Sequence, residues 1–134
     1  MESRFDSAEE TIAMATMYTA NHYNVVGILT LTESGTTAKL MSRISSGIPI
    51  YGVTRNEETQ RRMSLYRGVY PLAYDATEVP RGDVNRAVIA ELESRGLVKD
   101  GDRLIITKGD LSGVEGGTNS MKIVKVGDVV GERD

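Results

Sequence analysis

The sequence predicts an α/β fold of three layers, α/β/α, around a mostly parallel five-stranded sheet whose last strand is antiparallel at the edge. Three observations carry this. Short apolar runs rich in branched residues, such as Val25 to Leu31 and Leu104-Ile105-Ile106, alternate with stretches of helical periodicity. That alternation is the pattern of a parallel sheet covered on both faces. The last two runs have no helix between them, only "GDLSGVEGGTNS", and a loop of that length allows a hairpin-like return.

Each element has its own signal. Ser7 followed by Glu10 is a capping-box pattern, and Ile12, Ala13, Met17 and Ala20 recur behind it at helical spacing, predicting a helix from Ala8 to His22. Val25 to Leu31 is too short for a helix and reads as a buried strand. From Thr37, Leu40, Met41 and Ile44 mark a second helix, stopped by Gly47 and Pro49. Ile50 to Val53 is the second strand. Asn56 caps a third helix that carries Glu57 and Glu58 in its first turn and Arg61 and Arg62 in its last, an order that suits the helix dipole. Val69 to Ala73 is the third strand, and "ATEVPRGD" reads as a loop. Val84, Ala87, Val88 and Leu92 lie on one face of a fourth helix closed by Gly96. "DRLIITKG" and "MKIVKV" are the fourth and fifth strands. Residues 1–127 make one domain and 128–134 a polar tail, and there is no internal repeat.

Composition narrows the function. At 134 residues the chain suits a single domain, and 40 % hydrophobic with 26 % charged residues is ordinary for a globular protein. A net charge of −3 without a basic block points to neither nucleic acid nor an anionic membrane as partner. The absence of cysteine removes disulfides, thiolate chemistry and the usual zinc signal. No apolar run approaches the ~20 residues of a membrane helix. The start, "MESRFDSAEE", is acidic where a signal peptide is basic and then apolar, so the expected location is cytoplasmic.

Catalytic groups are sparse. His22, the single histidine, sits at a helix end where the dipole favours a positive ring, a structural role. Without cysteine or a second histidine, neither a nucleophilic triad nor a metal cluster has members, and no P-loop or dinucleotide fingerprint is present. Met14, Met17 and Met41 read as core filler. A binding domain fits these residues better than an enzyme.

The one stretch with the chemistry of a ligand site is "TESGTT", between the first strand and its helix. In open α/β sheets ligands sit beyond the carboxyl ends of the strands. A helix start offers free amides and a partial positive charge, Gly35 allows close backbone approach, and Thr32, Ser34, Thr36 and Thr37 bring hydroxyl donors. The same residues also make an ordinary cap and turn. Residue chemistry leaves both open, and Glu33 repels an anion unless its side chain points away. "TKGDLSGVEGGTNS", with Gly109, Gly113, Gly116 and Gly117, is either a connector or a loop that folds over a ligand.

"AEETIAMATMYTANH", "TLTESGTTAKLMSRISSGIPIYGVTRN", "LYRGVYPL" and "GDRLIITKGD…GGTNSMKIVKV" together resemble, in order, the carboxy-terminal domain of bacterial-type pyruvate kinases. The likeness runs from Glu2 to Val126. It implies a regulatory and assembly domain of an enzyme that transfers phosphate from phosphoenolpyruvate to ADP in glycolysis. The family's magnesium or manganese, its potassium and its catalytic groups belong to a barrel domain that no segment here resembles. The resemblance therefore implies no cofactor, no catalytic residue and no kinase activity for this chain. It places an effector's phosphate on Thr32, Ser34, Gly35, Thr36 and Thr37, and a covering loop on Lys108, Gly109, Gly113, Gly116, Gly117 and Thr118. It implies self-association through Met121 to Val126, within a homotetramer in the family. Glu33 stands where members responsive to fructose 1,6-bisphosphate can carry lysine, and there is no tryptophan. A sugar monophosphate or AMP is therefore the expected effector in preference to the bisphosphate. The alternatives are a purely structural tetramer-contact module, a stand-alone small phosphometabolite-binding protein, or a small phosphatase or transferase.

Overall fold

The computed structural model describes residues 7–44, 46–109 and 118–128. Four helices, α1 (Ala8–His22), α2 (Thr36–Ser42), α3 (Glu57–Met63) and α4 (Val84–Ser94), pack on five strands, β1 (Gly27–Leu31), β2 (Ile50–Thr54), β3 (Val69–Ala73), β4 (Arg103–Gly109) and β5 (Thr118–Lys125). The strand order is β3-β2-β1-β4-β5, parallel except that β5 runs antiparallel to β4. The three-layer fold read from the sequence is the one observed.

Alternation along the central strands sorts the core into two layers. Ile28 and Ile105 face Ala13, Met17 and Ala20 of α1, Ala38 and Met41 of α2, and Met63 of α3. Leu29, Leu31, Leu104 and Ile106 point the other way, against Val84, Val88 and Leu92 of α4. The small residues on the buried stripe of α1 let that helix lie close to the sheet.

The caps behave as their residue types require. The Ser7 hydroxyl accepts from the Glu10 amide at 3.1 Å, and the Asn56 side chain accepts from the Glu58 and Thr59 amides. Arg61 and Arg62 reach back to Glu57 and Glu58 one turn earlier, at 3.3 and 3.1 Å. The His22 ring stacks on Tyr18, and its Nδ1 lies 2.8 Å from the Tyr18 carbonyl, so Nδ1 carries the hydrogen.

The boundaries differ from expectation in several places, α2 ending at Ser42 before Ile44 among them. Strand β1 starts at Gly27, because Val25 is engaged in a local turn with Tyr23. Strand β5 starts at Thr118, three residues before its apolar run, since backbone pairing with Lys108 and Gly109 does not require apolar side chains. The loop 76–83 contains two 3-10 turns, Ala76–Glu78 behind Asp75 and Arg81–Asp83 behind Pro80. The predicted tail lies, after Asp128, outside the described residues. Among the described residues no helix is long and apolar enough to cross a membrane.

Met63 joins two glycines that the sequence does not connect. A Cβ on Gly52 would stand 2.4 Å from the Met63 sulfur, and one on Gly35 would stand 3.2 Å from the Met63 Cγ. The thioether thus fills the space left by both missing side chains and seats α3 against β2 and the β1–α2 loop. Gly52→Ala should lower stability by about 1–3 kcal/mol through overpacking. Met63→Leu in that background should recover part of the loss, as a urea double-mutant cycle would register. Additive losses would disprove the contact.

Candidate functional site

After β1 the chain turns through α2 toward β2, whereas β4, on the other side of β1, leads to β5. Neighbouring strands whose connections leave in opposite directions form the switch point at which α/β sheets open a crevice. Three features meet there. Helix α1 runs antiparallel to β1, so its amino end lies at this end of the sheet, with the amino end of α2 and the start of β5. Two helices therefore present positive dipole ends to one place.

The loop from Thr32 to Gly35 is shaped by its own hydroxyls. Thr32 Oγ1 accepts from the Gly35 amide at 2.9 Å. Ser34 Oγ accepts from the Thr36 amide at 3.3 Å and lies 2.9 Å from Thr36 Oγ1. Gly35, the N-cap of α2, has φ +84°, a left-handed conformation that only glycine adopts without strain. Ser34 and Thr36 are half-buried and reach solvent, whereas Thr37 is fully buried. The Thr37 hydroxyl donates to Glu9 Oε2 at 2.7 Å and lies 2.8 Å from Thr118 Oγ1. The structure thus brings the half-buried Thr32, Ser34 and Thr36 together around the buried Gly35 and sets Thr37 beneath them.

The other loop residues are placed only in part. Lys108 is half-buried in β4 and its carbonyl accepts from the Ser120 hydroxyl at 3.0 Å. Gly109 ends β4 opposite Thr118. Gly113, Gly116 and Gly117 lie outside the described residues.

Glu33 turns toward β2. Its carboxylate lies 3.6 Å from Arg55, on the side away from the β1–β4 crevice. The Thr59 hydroxyl donates to the Glu33 carbonyl at 2.6 Å, and Arg62 donates to the Ser34 carbonyl at 3.1 Å. Arg55 also bears on Asp75. The Asp75 carboxyl is held below its usual value chiefly by the Thr77 hydroxyl, against desolvation, with the Thr77 amide and the Arg55 charge adding smaller contributions.

Sequence reasoning missed Glu9, Thr59, Arg55 and Arg62. Glu9 did leave a signal: it precedes Ala13 by four and Met17 by eight, which puts it on the apolar stripe of α1. The arginines left none, because their partners, the Ser34 carbonyl for Arg62 and the Glu33 carboxylate for Arg55, lie far away in sequence. Beneath the site, the register partners Thr30 and Thr107 bury hydroxyls with no partner among the described residues. Among the described residues no group of three or more acidic or histidine side chains could hold a metal ion.

The family model "Pyruvate kinase, alpha/beta domain" matches residues 10–124. This chain belongs to that family. It is 43 % identical over 127 residues to the pyruvate kinase of Buchnera aphidicola subsp. Acyrthosiphon pisum and 42 % identical over 127 residues to pyruvate kinase II of Salmonella typhimurium. Each match covers 94 % of this chain but 26 % of the relative. The pyruvate kinase of Staphylococcus aureus is 38 % identical over 124 residues, 92 % of this chain and 21 % of the relative. The chain therefore spans about a quarter of the length of these curated relatives. In this pyruvate kinase domain, "TESGTT" occupies the first strand–helix junction, at the switch point.

Two outcomes follow from this geometry. Gly35→Ala should cost about 1–2 kcal/mol from its positive φ alone, and more for the crowding against Met63 and Thr59, measured by chemical denaturation. The Asp75 carboxyl titrates lower in the folded than in the unfolded chain, so its stabilisation is present above its usual 3.8 and is lost as pH falls through the folded value. The stability gap between wild type and Asp75→Asn should accordingly be constant near neutrality and narrow in acid below about pH 3.8. A pH-independent gap would contradict the assigned hydrogen bond.

Proposed function

We propose that this pyruvate kinase domain is a regulatory and assembly module that binds a phosphorylated effector at the β1–α2 loop and carries no phosphotransfer chemistry itself. The observation that supports the reading best is the meeting of two helix amino ends with the Ser34–Thr36 hydroxyl pair at the switch point. Helix amino ends favour phosphate, and hydroxyls that bond each other can turn to donate to it. Glu33 does not oppose this, because its charge leans onto Arg55. It also adds no cation for a second phosphate, so a sugar monophosphate or AMP suits the loop better than fructose 1,6-bisphosphate.

Strand β5 is the assembly element in this reading. It is one of the sheet's two edges, and Ile123 stands 44 % exposed on it between Lys122 and Val124. An uncovered edge strand can pair with another copy. Association should rise with concentration in sedimentation or light scattering, and Ile123→Asp should shift the chain toward monomer.

A second reading, a structural module without an effector, is favoured by one observation: Thr32, Ser34, Thr36 and Thr37 each already have a partner within the protein. Thermal unfolding separates the two. Glucose 6-phosphate or AMP at about 100 times Kd should stabilise by about 2.7 kcal/mol, roughly 10 °C for a domain of this size. The double variant Ser34→Ala, Thr36→Ala should weaken binding by more than about tenfold, as expected for loss of charge-assisted hydrogen bonds. If glucose 6-phosphate, AMP, fructose 1,6-bisphosphate and inorganic phosphate all leave the melting curve unmoved, the structural reading replaces the first.

A further inference from the structure

Strand β5 does not pair evenly with β4. Lys108 faces Ser120 but Gly109 faces Thr118, so Asn119 is an extra residue, a bulge. Its consequence is a change of side. Met121 packs in the layer of α1 and α2, and simple alternation from it would place Thr118 on the α4 side. The bulge turns Thr118 back to the α1 side, where it is 5 % exposed and its hydroxyl meets Thr37. Asn119 and Ser120, next to it, are exposed.

Donor counting gives this contact a direction. The Thr37 hydroxyl has one hydrogen, and it goes to the Glu9 carboxylate, which only accepts. Thr118 must then be the donor to Thr37. The chain of bonds is ordered Thr118 to Thr37 to Glu9, and it ties the start of β5 to α2 and α1 through side chains that are all at least nine-tenths buried. Glu9 sits in the first turn of its own helix and against the first turn of α2, so two helix amino ends offset the cost of burying its charge.

We propose that Glu9 is a positioning residue, and that the Glu9–Thr37–Thr118 chain couples the β1–α2 loop to the order of the β5 edge. Glu9 holds the Thr37 hydroxyl inward. Contact with a phosphate monoester is thereby left to Ser34, Thr36 and the loop amides, and any shift of the α2 amino end on binding is passed to Thr118 at the bulge. The coupling stands on the ligand-free geometry; only its use by a phosphate ligand rests on the function proposed above.

Amide hydrogen exchange on the 134-residue chain tests both parts. Without ligand, Glu9→Ala should speed exchange at residues 118–122 about tenfold relative to amides of β2 and β3, and Glu9→Gln, which keeps the acceptor, should restore most of the protection. Thr118→Val should reproduce the Glu9→Ala pattern, and combining the two should add little. Equal acceleration throughout the sheet, or none at residues 118–122, overturns the coupling. Should Glu9→Ala fail to fold, Thr118→Val and Glu9→Gln decide alone: a local effect of the first and near-wild-type exchange in the second uphold it. With glucose 6-phosphate added, exchange at residues 118–122 should slow in wild type but not in Thr118→Val. If wild type binds none of the phosphate ligands, the effector reading fails while the ligand-free comparison still decides the coupling.

Discussion

The arrangement depends on one topological constraint: β4 pairs with β1, not with β3. The chain builds β1, β2 and β3 outward in one direction, then crosses the opposite face through α4 and returns to the far side of β1. Parallel strands joined by helices require such a crossover. Its result is that the carboxyl ends of β1 and β4 are neighbours whose exits diverge. Because α1 enters β1 through a short turn, its amino end must lie at the same edge. The crevice, the two helix ends and the start of β5 are consequences of that single pairing.

The site must also solve an electrostatic problem. Two helix amino ends create a positive region, with Arg55 and Arg62 beside it, and two glutamates lie close by. They are handled differently. Glu33 is at the surface and leans on Arg55, a half-exposed pair that contributes little to stability but directs the carboxylate away from the crevice. Glu9 is buried, where an unpaired charge would be costly, and it receives the Thr37 hydroxyl and the field of two helices. The inner acid acts as a fixed internal anion below the loop, while the outer face of the loop keeps its amides and the Ser34–Thr36 pair.

Local chemistry made most of the fold legible. The limits of α1 followed from the Ser7 cap, those of β3 were read as observed, and the Asn56 cap placed α3 correctly. The start of β5 was not legible, since Thr118, Asn119 and Ser120 have no apolar pattern and are held by backbone pairing and a bulge. At the site, the sequence identified which residues carry hydroxyls but not which way they point. Ser34 and Thr37 are alike as residues in a list. Only the packing of α1 and β5 shows that one faces solvent and the other is used inside. Glu9 was hidden for a related reason: an acid in a first turn is ordinary at a helix start, and its burial becomes visible only through the phase of the stripe that contains Ala13 and Met17.

A loop of this kind can be stable while empty, which the effector site proposed above requires. Ser34 pairs with Thr36, and Thr32 and Ser34 accept from the Gly35 and Thr36 amides, so these hydroxyls have partners when no anion is present. In the proposed effector reading, a bound phosphate exchanges neutral hydrogen bonds for charge-assisted ones, which are shorter and about twice as strong. The gain is only the difference between the two sets. That favours an affinity matched to the level of a metabolite over the tightest attainable, and makes selectivity depend on how many loop donors a ligand engages at once. Gly35 shapes that loop. Its left-handed turn leads into α2, and a residue with a Cβ at this position would strain that turn and press on Met63 as well.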